Sequence, residues 1–475
     1  MVCEVFCLFL RHKQTLFTQK EPIKMKKIKT LLLLLLIVAT PTFAKTYDIA
    51  SLGGKNDGTS DNTELLQQTI DQCSREGGGT VVLGGGGSYL SRTLYMKSYV
   101  VLRVEAGTTL LASPDISTYP KDTHKIMYKR ESHMDRCFIF AKEAKCFGFE
   151  GMGTINGNGQ DKGFSKGARP MLMRFLDCER ISMRDITLMN PAAWTTAWLY
   201  CKDIVVDGIR IISRVNKNGD GLDFDGCEDV RVSNSYFDNS DDCICLQTSL
   251  PEKPCRRVTI TNCVFKTQWA GIRIGLLSRG DISQVTVSNC TFNDIKDSGL
   301  KIQQNEAGGM SDMVFSNLVM NNVPRPIFMT FCKQRACVDA PIDTLDELKY
   351  MKRFVFDNIV VDNANLDKNS CFLFSGIPTN SIEDVTLSNV LFVTAGGGTA
   401  ADAQRKDIPE FDLNSMKHHW PEYTCLGGAL PAKALYARHI RNLKVSNFKF
   451  QSRTPDARKL IVTKDVEDCE IDIEE

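Results

Sequence analysis

The chain has little of what marks several large functional classes. Its charge nearly cancels, 58 Lys and Arg against 57 Asp and Glu, which gives no support to a polyanion-wrapping surface of the nucleic-acid kind. Its 6 His are scattered and no Cys-x-x-Cys pair occurs, so no zinc ligand set is indicated. The pair His418-His419 falls in a stretch that reads as a surface insertion. No phosphate-cradling glycine loop, nucleophile elbow or redox motif is present. Beyond residue 44 no apolar run is long enough to span a membrane. With 43% hydrophobic residues, 34 Gly and 16 Pro, the chain is globular rather than disordered or collagenous.

The one concentrated apolar run lies near the N-terminus. From Met25 a basic stretch leads into Leu31–Thr40 and then Thr42-Phe43-Ala44, the three regions of a secretory signal peptide. Residues 1–24 read as an over-long start. No Cys follows the apolar run to carry a lipid, since Lys45 stands there. Residues 45–475 are then expected to be a single exported domain, periplasmic in a Gram-negative cell and otherwise secreted, without membrane insertion and monomeric. Export permits disulfides. However, Cys178, Cys201, Cys227 and Cys255 recur at one position of a local pattern, and Cys263 and Cys290 share another. That recurrence predicts stacked, buried thiols acting as small hydrophobes.

The pattern is apolar-x-apolar-x-Asn/Asp/Gly. Its fifth position is Asp185, Gly208, Asn234, Asn262, Asn289, Asn317, Asn358, Asn389 and Asn447. The first steps are 23, 26, 28, 27 and 28 residues; later ones stretch to 41, 31 and 58, which requires inserted loops. Each unit holds short alternating strands, and Asn or Gly suits the left-handed corner between them. One unit cannot bury its apolar row alone, but a stack can. The expected fold is all-β: a single-stranded right-handed parallel β-helix of about ten coils. The helix-like stretch Asn62–Cys73, with Asp61 or Asn62 as cap, would cover its open end. Candidate insertions are 113–136, 331–352 and 394–438.

Stacking the coils aligns rows beginning at Leu172, Thr195, Gly221, Cys243, Gly271, Gly299 and Pro326. Their third positions face outward in the column Arg174, Ala197, Asp223, Cys245, Arg273, Lys301 and Phe328, a ladder fit for a linear polymer. One place before the rows, Asp220 and Asp242 share a column, with Asp241 adjacent. Coils lie about 4.8 Å apart, so three carboxylates crowd together. Asp beside Gly or Asn is commonly turn chemistry. Three on adjacent coils differ, because like charges cost energy and drive their pKa values apart. An acid and a base side by side are what glycosidic hydrolysis needs.

Asn218-Gly-Asp-Gly-Leu-Asp223, Ser240-Asp-Asp-Cys-Ile244, Gly151-Met-Gly-Thr-Ile-Asn-Gly157 and Asp48–Asn62 resemble glycoside hydrolase family 28, the polygalacturonase family, over roughly residues 46–450. The resemblance implies an inverting hydrolase with Asp241 as general acid and Asp220 and Asp242 holding and activating the water. It implies substrate contacts at Asn218, Asp223, Lys301 and Gln303, to which Arg273 is added from its place in the outward column, and no metal or other cofactor.

The departures matter as much. Trp269-Ala270-Gly271 stands for the family's Gly-His-Gly and Lys301-Ile302-Gln303 for its Arg-Ile-Lys. Gln247 replaces a Lys, and Trp194-Thr-Thr-Ala197 replaces Trp-Thr-x-His. The family's cations there grip galacturonate carboxylates. Lys301 keeps one charge, and Arg273 is expected to offer a bidentate fork. The pattern is nearer to branches acting on rhamnogalacturonan or decorated pectin than to plain homogalacturonan cutters, and the insertions are compatible with exo action. A lyase or epimerase on the same fold, and a silent carbohydrate-binding β-helix, are the competing readings.

Overall fold

In the computed structural model, which describes residues 45–121, 123, 134–160, 162–164, 168–332, 349–411 and 422–475, alternating apolar and polar residues become parallel strands stacked coil on coil. The expected signal segment 1–44 and His418-His419 lie outside the described residues. Residues 46–475 form one compact unit. Each coil gives one strand to each of three faces. The first face runs from Gly79–Leu83 through Val100–Val104, Lys145–Glu150, Glu179–Arg184, Lys202–Asp207 and Glu228–Ser233 to Cys255–Thr261. The second runs from Gly87–Ser91 through Thr108–Ala112, Thr154–Asn156, Thr187–Met189, Arg210–Ser213 and Tyr236–Asn239 to Val264–Thr267.

The third face holds β1 (Met171–Leu176), β2 (Thr196–Leu199), β3 (Leu222–Asp225), β4 (Ile244–Thr248), β5 (Ala270–Ser278), β6 (Ser298–Gln304) and β7 (Arg325–Phe331). This is a right-handed parallel β-helix.

The fifth position of the repeat turns the corner between the first two faces. Its φ is +55° at Asp185, +69° at Gly208, and between +49° and +56° at the seven Asn from Asn234 to Asn447. Side chains pay for this left-handed conformation, and Asn pays less than most. The Asn amides also bond coil to coil: Asn262 donates to Asn234 at 3.2 Å, Asn317 to Asn289 at 3.0 Å and Asn358 to Asn317 at 2.7 Å.

Inside, like residues stack. Ring centroids are 4.6 Å apart for Phe175 and Trp198, 5.6 Å for Trp198 and Phe224, and 5.1 Å for Phe237 and Phe265. Such aromatic pairs add about 0.5–1.5 kcal/mol beyond their buried area. Cys178, Cys201, Cys227, Cys255, Cys263 and Cys290 are all buried and free, as their recurrence predicts.

Helix α1 (Thr63–Arg75) buries Leu66, Thr69, Ile70 and Cys73 against the first coil. Asp61 accepts from the Thr63 N–H at 2.9 Å, whereas the Asn62 side chain turns back to the Lys55 backbone. Two insertion limits need correction. The strand Met351–Asn363 begins inside 331–352 and the strand Ala432–Ser452 inside 394–438, because both pair with the preceding coil. Among the described residues no helix is long and apolar enough to cross a membrane.

Candidate active site

The outward column forms in the expected register: Arg174 pairs with Ala197, Ala197 with Asp223, Asp223 with Cys245, Cys245 with Arg273, Arg273 with Lys301 and Lys301 with Phe328. It is not an open ladder, however. Arg174 is buried, donating to the carbonyls of Thr123 at 2.6 Å and Met134 at 2.7 Å in the first insertion. At the other end Phe328 lies under Phe411 and Tyr423 of the last insertion, with centroids 5.8 and 6.3 Å away. What stays open is a cleft of about 220 Å³ over the coils between, lined by Trp194, Asn218, the Asp cluster, Cys245, Gln247, Trp269, Arg273 and Glu422.

Asp220, Asp223 and Asp242 are buried and Asp241 is half-buried, all facing this cleft. Two glycines allow the crowding. A Cβ on Gly221 would sit 2.3 Å from the Cys243 carbonyl oxygen, and one on Gly219 2.5 Å from that of Ser213. Only glycine lets these coils close up around Asp220. Burial, reinforced by Asp242, pushes the Asp241 carboxyl up to about 7. Burial together with Asp241, Asp223 and Asp242 holds Asp220 well above the carboxylate range. Asp223 rises likewise, first from burial, with a Cys245 thiol bond opposing and Asp242 adding.

The partners of these carboxylates differ. Asp242 accepts from Arg273 Nη1 at 3.1 Å and from the Ala270 N–H at 3.1 Å. Asp241 accepts from the Asp242 N–H at 3.0 Å and, more weakly, from Asn218 Nδ2 at 3.5 Å. Asn218 is held by Arg169, which donates to its Oδ1 at 2.8 Å. Asp220 Oδ1 and Asp223 Oδ2 are buried with no hydrogen-bond partner among the described residues. One cluster therefore contains a carboxyl that protonates near neutrality, a carboxylate in an ion pair, and buried carboxyl oxygens without a hydrogen-bond partner among the described residues.

The cations are arranged differently from a pair that faces substrate. Arg273 lines the cleft, but its fork is directed at Asp242 and, at 3.2 Å, at Gln303 Oε1. Lys301 is fully buried, 2.9 Å from Asp297 and ion-paired to Glu422, with its Nζ 4.9 Å from the centre of the Trp269 ring. Burial opposes its charge, yet Asp297 and Glu422 outweigh it and raise its pKa. Gln303 is buried behind Arg273.

Sequence reasoning missed Glu422, Asp297 and Arg169. Glu422 lies 121 residues from its partner Lys301, in an irregular insertion that no periodicity marks. Asp297, four residues before Lys301, was the readable signal.

As to metals, carboxylate oxygens of Asp220 and Asp242 and the Cys245 sulfur lie within 4.8 Å of one another. Ca²⁺ takes six to eight oxygen ligands, and a buried thiol whose pKa is pushed well up by burial and Asp223 does not suit that set.

The fold and this carboxylate cluster define a glycoside hydrolase of the β-helical type. The family model "Glycosyl hydrolases family 28" matches residues 115–408, and the chain belongs to that family. It is 24% identical over 370 residues to a "Probable polygalacturonase" of Vitis vinifera, covering 73% of this chain and 74% of that protein. It is 25% identical over 447 residues to the "Exo-poly-alpha-D-galacturonosidase" of Dickeya chrysanthemi, covering 80% and 72%. Among solved structures the family 28 exopolygalacturonase of Yersinia enterocolitica superposes with a TM-score of 0.70 at 19% identity, over 92% of this chain and 80% of that one.

Proposed function

We propose that the protein is an exported, inverting hydrolase of pectic, galacturonate-containing glycans, of rhamnogalacturonan or decorated type rather than plain homogalacturonan. The observation that carries the chemistry is the split within the Asp cluster: a half-buried Asp241 with a pKa of about 7 beside an Asp242 ion-paired to Arg273. Asp241 gives its proton to the glycosidic oxygen as the C1–O bond breaks. Water held by Asp220 and Asp242 attacks C1 from the opposite face and leaves its proton on Asp242, the carboxylate ion-paired to Arg273. One water is added and the configuration inverts, which needs carboxyl groups about 6.5–9.5 Å apart across the sugar. Asn218 and Asp223 meet substrate hydroxyls. The pectic substrate class is supported by family membership and by the names of the relatives.

Walls at both ends of the strand column, at Arg174 and at Phe328, favour attack at a chain end. The test is digestion of homogalacturonan, rhamnogalacturonan I and rhamnogalacturonan II fragments, with Asp241→Asn and EDTA arms, read by mass. Saturated products heavier by one water, unaffected by EDTA and absent with the variant, are expected. Unsaturated products would establish the lyase instead.

A further inference from the structure

The charges around Lys301 specify more than a fold. Lys301 stands beside Arg273 in the outward strand column, yet its charge is matched inside the protein. Asp297 is 2.9 Å from its Nζ on one side, Glu422 pairs with it on the other, and Arg325 shares Asp297 at 3.0 Å. Fully buried beside the Trp269 ring, Lys301 presents no surface to the cleft.

Among the described residues that line the cleft, Arg273 is the one cation, against Asp220, Asp223, Asp241, Asp242 and Glu422. Its Nη2 lies 3.9 Å from Glu422, and its two terminal nitrogens already serve Asp242 and Gln303. Glu422 Oε1, Asp220 Oδ1 and Asp223 Oδ2 are buried and have no hydrogen-bond partner among the described residues. A buried acceptor without a donor is costly, so these atoms select ligands that bring O–H groups. A carboxylate brings none and meets like charge at low dielectric.

We propose that the sugar seated between Trp269 and Glu422 is neutral, a hydroxylated or esterified ring without a free carboxylate, and that Glu422 is the residue that determines this. Glu422 does so in two ways: it occupies Lys301, and it lines the cleft with a carboxylate whose second oxygen has no hydrogen-bond donor among the described residues. Trp269, about one-third exposed, offers that ring an apolar face. The inference rests on the reading of this cleft as the hydrolytic site, and it narrows the sugar taken beside the Asp cluster.

The test compares matched ligands that differ only in the carboxyl group. Binding of galacturonate and of its methyl ester to the wild-type protein is followed by NMR titration at fixed ionic strength and pH 7.5. Neither monosaccharide can be cleaved, so the subsite is read independently of catalysis. The ester is expected to bind at least about tenfold more tightly. In Glu422→Gln, which keeps the side-chain shape, the preference is expected to shift about tenfold or more toward the acid as Lys301 loses one counter-charge. In parallel, kcat/KM on oligosaccharides in free-acid and methyl-ester forms should shift in the same sense. Galacturonate bound as well as its ester by the wild type, neither bound, or a preference unmoved in Glu422→Gln, would overturn the proposal. Loss of the hydrolase reading would show separately, as no cleavage of either form by the wild type.

Discussion

Replacing Asp241 with Asn should destroy activity and at the same time stabilise the protein, and only in one pH range. The Asp241 carboxyl, ordinarily near 3.8, is pushed up to about 7 by burial and by Asp242. At about 1.4 kcal/mol per tenfold change in proton affinity, this is roughly 4 kcal/mol between the two protonation states. Asp241 is only half-buried and titrates together with the neighbouring Asp242, so a gain of roughly 1–3 kcal/mol is the expectation.

The sign follows from proton uptake. Between pH 4 and pH 7 the folded protein binds a proton at this site that the unfolded chain does not. Its contribution is therefore fully present at low pH and is lost as pH rises through 7. Asn, which cannot ionise, escapes that loss. Thermal midpoints of the wild type and Asp241→Asn should differ by about 1–5 °C in favour of the variant at pH 7.5 and coincide near pH 4. A variant less stable at pH 7.5, or equally stabilised at both pH values, would refute the assignment of a strained, proton-binding carboxyl.

Wild-type activity should fall with an apparent pKa near 7 on its alkaline side as Asp241 loses its proton, measured as kcat/KM against pH; a flat profile to pH 9 would contradict it. Arg273→Gln leaves the buried Asp242 without its ion pair, so it should lose about 3–5 kcal/mol in denaturant unfolding together with activity. Gly275→Ala places a methyl 1.8 Å from the Gln303 carbonyl oxygen at φ +92°, and should cost at least about 2 kcal/mol and displace the support of Arg273. At the exposed corner, Asn317→Gly should be milder than Asn317→Ala by about 1 kcal/mol, since Gly keeps the left-handed conformation that Ala resists.

The coil architecture was legible because its causes are local and repeated. Every fifth-position residue that the pattern named, from Asp185 to Asn447, turns a left-handed corner, and the column Arg174 to Phe328 pairs in the register the alternation required. The Asp cluster was legible for the same reason, since adjacent coils bring Asp220 and Asp242 together. What the alternation could not carry was the insertions. They have no period, yet they bury Arg174, cover Phe328 and deliver Glu422 to Lys301. The outward column therefore read as an open groove, although the structure closes it to a cleft. Long-range ion pairs such as Lys301–Glu422 leave no trace in spacing; the nearer Asp297, at a distance of four residues, did.

The central claim is that Asp241 protonates the leaving oxygen while water held by Asp220 and Asp242 attacks from the far side. Proton NMR of the first product, recorded within minutes of adding enzyme to a cleaved oligosaccharide, tests it most directly. The new reducing end should appear first as the anomer opposite to that of the broken bond and then equilibrate, with no such signal from Asp241→Asn. First appearance of the retained anomer, or of an unsaturated sugar, would contradict the account.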